Sequence, residues 1–188
     1  MLLGGLLLVA VAAASIAWRL GFFAHGPSVH SLEGYALERG YRLFGDATSF
    51  EAVVGDVAVR VSLTLVPSHG GPTSAWRAGA RASAPIAGWV TARPRHEDAS
   101  TSVRVGDLTF DSRFFVDASS RSVAKHVLSA ELRRALEAFG PRGESRYEDG
   151  AFAFTWDDGG VDPPTLDAAI GIAVAACKLT KKAGIYRD

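Results

Sequence analysis

The sequence is poor in almost everything that announces chemistry. It holds one cysteine, Cys177, so no disulfide can form within the chain, and a lone thiol fits a reducing or an oxidising compartment equally. The five histidines, at positions 25, 30, 69, 96 and 126, form no pair at helical spacing, and no metal-ligand pattern is present. The serines include no G-x-S-x-G elbow, which removes the usual support for serine hydrolase chemistry. Gly70-Gly71 and Gly159-Gly160 follow no strand-to-helix phosphate pattern and read as loop points. Net charge is missing too: 20 Lys+Arg balance 20 Asp+Glu, so no whole-molecule field favours nucleic acid. No cofactor is implied.

What the chain does have begins at its amino end. Leu2 to Trp18 carry no charge. At about 1.5 Å per residue such a run spans roughly 25 Å, a little short of a hydrocarbon core of about 30 Å. Arg19 can snorkel to the headgroups, so the span extends through Leu20 to Phe23 and reaches full thickness. The expectation is a transmembrane anchor over residues 1–23 and a linker over 24–30. A cleaved signal peptide is the alternative, since Ala12-Ala13-Ala14 offers a cleavage site, although no Lys or Arg precedes the apolar run. Arg19, Arg39 and Arg42 follow the span, and the positive-inside rule then places the domain on the cytoplasmic side of a bacterial inner membrane. Periplasmic or secreted placement goes with cleavage.

Residues 31–188 read as one α+β domain, mostly antiparallel sheet packed with helices. Ser31 is placed to cap a short helix that Gly40 ends. Val57, Val59, Val61, Leu63 and Leu65 alternate with more polar residues, the mark of a half-buried strand. Trp76 to Ala82 alternates likewise, Ile86–Arg93 reads as a strand, and Val103–Val105 as another. Pro67–Ser74 and His96–Ser102 read as loops. Arg121–Phe139 is helical, with a second start at Ser129. Asp149-Gly150 suits a type I′ hairpin turn, and Asp162-Pro163 opens a last helix with the stripe Leu166, Ala169, Ile170, Ala173, Val174 and Cys177. Helix followed by hairpin thus occurs at 31–66 and again at 121–156, hinting at a weak internal repeat.

The run Gly106-Asp107-x-x-Phe110-Asp111-x-x-Phe114-x-Val116 resembles a pattern in uncharacterised bacterial membrane-anchored proteins grouped as domains of unknown function. Leu128-Ser129-Ala130-Glu131-Leu132 matches a Leu-Ser/Thr-x-Glu-Leu helix that follows the motif in those proteins, and Gly40 matches the glycine that ends their first short helix. The resemblance covers nearly the whole chain. It implies anchoring and architecture and brings no activity.

Each chemical lead has a structural reading beside it. Asp107 and Asp111 form a carboxylate pair usable for acid–base work, but Asp111 reads better as a cap of the turn that sets Phe110 and Phe114 on one side. An Asp111–Arg113 ion pair is a further option. Glu148, Asp149, Asp157, Asp158 and Asp162 are acidic enough for a divalent cation, yet turns and caps also select Asp, and no metal site is expected. Cys177 reads as a buried inert thiol. Phe152, Phe154 and Trp156 share one strand face, either as the core beneath a helix or as the lining of a ligand pocket. Arg60, Arg77 and Arg81 lie on polar strand faces, solvated or turned toward anionic lipid. The expectation is a membrane-tethered scaffold or interaction domain that is not an enzyme, its partners the membrane and an unidentified protein. A small-ligand sensor is the alternative, and an enzyme using Asp107 or Asp111 ranks last.

Overall fold

Alternating hydrophobicity becomes an eight-stranded sheet with the helices of the described residues on one face. The computed structural model describes residues 29–45, 48–66, 73–95, 102–157 and 162–183. The expected anchor over 1–23, most of the linker and Asp158 lie outside them. Among the described residues no helix is long and apolar enough to cross a membrane. In chain order the elements are α1 (Val29–Glu38), β1 (Arg42–Phe44), β2 (Ser49–Val54), β3 (Val57–Val66), β4 (Thr73–Arg81), β5 (Trp89–Pro94), α2 (Leu108–Arg113), β6 (Phe114–Ala118), α3 (Arg121–Val127), α4 (Ala130–Phe139), β7 (Gly143–Glu148), β8 (Ala151–Asp157) and α5 (Pro163–Ala183). The sheet order is β1-β2-β3-β4-β8-β7-β5-β6, every pair antiparallel.

Register explains the core. One inward row crosses the sheet as Phe50, Val61, Ala78, Phe154, Ser145, Ala92 and Val116, all buried. Alanine at 78 and 92 leaves room for helices, while the rings at 50 and 154 fill the space beside them. α5 lies over β3, β4 and β8, and packs laterally on α4 and α3. Its buried side chains include the expected stripe from Leu166 to Cys177 and extend to Ile172, Ala175 and Ala176. Phe139 at the end of α4 meets Phe154 edge-on at 4.7 Å, and Phe154 stacks on Trp156 at 5.8 Å. β7 begins with Gly143 because the Phe154 ring occupies its side-chain position: a Cβ there would sit 2.3 Å from the ring.

Several local signals form as read. Ser129 caps α4 through Leu132 N–H, with a break at Leu128 separating it from α3. Asp162 accepts from Thr165 N–H at 2.9 Å and Pro163 opens α5. Asp149 and Gly150 have φ of 45° and 90°, the signs a type I′ turn requires. α1 ends in a Schellman arrangement: Gly40 N–H donates to Leu37 and Tyr41 N–H to Ala36, with the Tyr35 and Tyr41 rings 6.0 Å apart.

Others form differently. α1 begins at Val29, so Ser31 lies inside it and is not the cap. β4 starts at Thr73, taking two residues expected in the preceding loop. β5 starts at Trp89 because the Ile86 backbone is engaged elsewhere: its N–H and C=O both bond the Tyr147 hydroxyl. Val103–Val105 is not a strand. Val103 N–H reaches the Val116 carbonyl, but Val105 N–H goes to the Asp111 carboxylate and the ladder stops. Leu63 and Leu65, inward by alternation, are 42% and 68% exposed, since among the described residues the covering layer reaches Val61 and Trp76 and goes no further.

A polar clasp joins the first helix to the last. The buried Tyr35 hydroxyl donates to Asp167 Oδ1 at 2.6 Å, and Arg39 donates to Asp167 Oδ2 at 3.1 Å while its guanidinium lies 4.1 Å from the centre of the Tyr35 ring. Burial, then the bond to Asp167, lifts the Tyr35 pKa well above that of an ordinary phenol.

Truncating the aromatic node tests this core. Phe154→Ala should lower unfolding free energy by about 3–5 kcal/mol in urea titration. Leu65→Ala, on the same strand face but uncovered, should change it by less than about 0.5 kcal/mol. Equal losses at the two positions would mean that the helical layer extends past Val61 and Trp76.

Candidate functional site

The sequence motif folds into a corner in which both carboxylates are engaged. Asp107 is the N-cap of α2: its Oδ1 accepts from Phe110 N–H at 3.3 Å. Its Oδ2 accepts from Arg133 Nε at 3.1 Å, and a second Arg133 nitrogen donates to the Leu128 carbonyl at 2.6 Å. One arginine of α4 therefore ties the start of α2 to the end of α3. Asp111 is not the cap. It accepts from Val105 N–H at 3.0 Å and Gly106 N–H at 3.1 Å, folding the incoming loop over the helix. It forms no ion pair with Arg113 among the described residues. Gly106 has φ +94°, where a side chain would be strained. Phe110 and Phe114 stack at 4.5 Å and are buried, as is Val116. The Phe110 N–H bond, opposed by some desolvation and then helped by Arg133, holds the Asp107 pKa below the usual carboxylate value.

The other candidates are spread through the fold. Phe152, Phe154 and Trp156 are 4%, 1% and 2% exposed and pack beneath α5, while Phe152 and Trp156 each also border a depression on the other face of the sheet. Cys177 is buried on α5, and burial pushes its thiol up to about 11. His126 is exposed, its ring nitrogen 3.0 Å from the Ser122 carbonyl. Asp149 accepts from Gly88 N–H at 2.8 Å, Glu148 pairs with Arg146 and Asp162 caps α5. Among the described residues no group of three or more His, Cys, Asp or Glu is placed to hold a metal ion.

The feature that sequence reading leaves scattered is the face of the sheet opposite the helices. Register sets its residues in rows. The central row runs Arg42, Glu51, Arg60, Gly79, Ala153, Arg146, Thr91 and Asp117 from one edge to the other. A flanking row runs Phe44, Ser49, Ser62, Arg77, Thr155 and Glu144. On the other flank Arg81, Ala151, Glu148 and Trp89 follow one another. The middle is thus a floor of Gly79, Ala151 and Ala153, with charged side chains around it. Two shallow depressions lie on it, of about 630 Å³ beside Arg60, Arg77 and Arg81 and about 780 Å³ beside Arg77, Glu144, Arg146 and Asp157. None of Arg60, Arg77 and Arg81 forms an ion pair among the described residues, and Arg60 lies 5.0 Å from the Phe44 ring centre. Periodicity names these arginines one strand at a time; only the strand order, with β8 beside β4, brings them to one surface with Glu144 and Glu148.

Eight antiparallel strands with the helices of the described residues on one side define an α+β fold whose other sheet face is open among the described residues. A solved structure of similar fold is that of the mycobacterial trehalose monomycolate transport factor A, TtfA, with a TM-score of 0.51 over 80% of this chain and 93% of that one. At 10% identity the likeness is one of fold. No family model and no curated protein matches the sequence.

Two measurements test the corner and the thiol. Because the native Asp107 pKa is depressed, its stabilisation is complete above the ordinary carboxylate value of about 3.9 and is lost as pH falls through the lower native value. The unaltered protein should therefore lose urea resistance more steeply than Asp107→Asn as pH falls below about 4, and parallel curves would remove Asp107 from the corner. Cys177 should stay unlabelled by Ellman's reagent at pH 8 until the chain unfolds; rapid native labelling would place it at the surface.

Proposed function

We propose that this chain is a membrane-tethered interaction domain: residues 1–23 anchor it in a bacterial inner membrane, residues 24–30 link, and the α+β domain stands on the cytoplasmic side offering its open sheet face to a protein. The observation that carries the reading is that face. Sheets with helices on one side commonly leave the other to water, but here the exposed surface combines a small-residue floor, arginines that form no ion pair among the described residues and two large exposed apolar side chains, Val53 at 63% and Trp89 at 39%. Arg and Trp are the residues that interfaces enrich. The uncharged leader supports the tether, as does the resemblance of the motif from Gly106 to Val116 to a pattern in membrane-anchored proteins. No step of catalysis is assigned to Asp107 or Asp111, whose oxygens hold backbone N–H groups and Arg133.

Alkaline-washed membranes should retain the full chain with its leader intact by amino-terminal mass spectrometry, and amine cross-linking in those membranes should shift it to a discrete larger species. A soluble chain beginning near Ser15 would overturn the tether. A chain that stays at its own mass under cross-linking would overturn the interaction reading.

A further inference from the structure

We propose that the partner for the open sheet face is a second copy of this chain, docked face to face about a two-fold axis that runs parallel to the strands between β4 and β8. The inference rests on the interaction reading above and names its partner. Its starting point is the sheet order, which sets four strands on each side of that line. A rotation about it lays β4 of one copy on β8 of the other, β3 on β7, β2 on β5 and β1 on β6.

The face is self-complementary under that rotation. Its β1–β4 half carries Arg42, Arg60, Arg77 and Arg81 against Glu51. Its β8–β6 half carries Glu144, Glu148, Asp157 and Asp117 against Arg93 and Arg146. A basic half therefore meets an acidic half twice, as an isologous interface requires. Row by row, Arg42 falls opposite Asp117 of the second copy and Ser62 opposite Glu144. Arg60 falls opposite Arg146, whose charge is already paired with Glu148 at 3.0 Å; the flexible Arg60 side chain then lies between Glu144 and Glu148. Apolar groups match as well: Val53 meets Trp89 and Phe44 meets Phe115. At the axis Gly79 meets Ala153, so the central row brings no bulky side chain there, while Arg77 and Arg81 in the flanking rows face Thr155 and Ala151 of the second copy and lie one strand spacing from its Glu144 and Glu148.

Area and shape select this occupant over others. Eight strands at about 4.8 Å, from three to ten residues long and averaging roughly 20 Å, present on the order of 700 Å² per copy, close to the roughly 800 Å² that a stable complex buries per partner. Accumulated strand twist makes the face a saddle, which fits another twisted sheet and not a flat bilayer. The sign of charge reverses within about 15 Å, three strand spacings, so a continuous polyanion such as nucleic acid or an anionic lipid surface would meet Glu144, Glu148 and Asp157.

Charge exchange tests the idea with the full-length chain in dodecyl maltoside micelles, where light scattering reads protein mass and two affinity tags read pairing. The unaltered chain should be a dimer, with dissociation rising at least tenfold between about 0.1 and 0.5 M salt. Arg60→Glu with Arg77→Glu, and separately Glu144→Arg with Glu148→Arg, should each weaken self-pairing at least tenfold. Mixing these two variants should restore a one-to-one heterodimer, which also shows that both are folded, and one chain bearing all four changes should dimerise by itself. A monomeric unaltered chain, dimers that survive either reversal, or variants that fail to pair on mixing would each overturn the proposal. Any of these outcomes together with a cross-linked heterologous complex in native membranes would leave the broader interaction reading standing.

Discussion

One-sided burial is the constraint on which the molecule depends. Every strand sends alternate residues to a single helical layer, and α5 closes that layer over β3, β4 and β8. The junction of Phe139, Phe154 and Trp156 joins α4 to the centre of the sheet, and Gly143 yields its side chain so that the far end of the Phe154 ring can take its place. A sheet buried on both faces would read as unbroken apolar runs. This one reads as alternation, and its second face is released from packing to carry charge.

Parts governed by near neighbours are legible in the amino-acid order alone. The period of two in β3, the Asp149-Gly150 turn, the Ser129 and Asp162 caps and the break between α3 and α4 each depend on a few consecutive residues. What depends on distant pairing is not legible there. Asp107 and Arg133 stand 26 residues apart, and nothing in the spacing of either announces the other. Asp111 has the look of a cap because it sits within a turn; the cap falls to Asp107 once Val105 and Gly106 claim the second carboxylate. Ile86–Gly88 has the composition of a strand and loses its ladder to the hydroxyl of Tyr147, more than sixty residues on.

The open face is the least legible element for the same reason. Arg60, Arg77, Glu144 and Glu148 come from three strands, β3, β4 and β7, and their relation follows from β8 inserting next to β4 and β7 next to β5. A motif hunt rewards residues close in sequence, so it finds the corner from Gly106 to Val116. That corner orders three helices and a loop around one arginine. Surface chemistry is instead distributed thinly across rows that only register assembles.

The clasp of Tyr35, Arg39 and Asp167 has a mechanical consequence. β1 is a three-residue edge strand, the weakest attachment in the sheet, and the chain reaches it through α1. Because Tyr35 and Arg39 button α1 to Asp167 of α5, a pull on α1 loads those bonds as well as β1. The edge strand is thereby spared from being unzipped one hydrogen bond at a time.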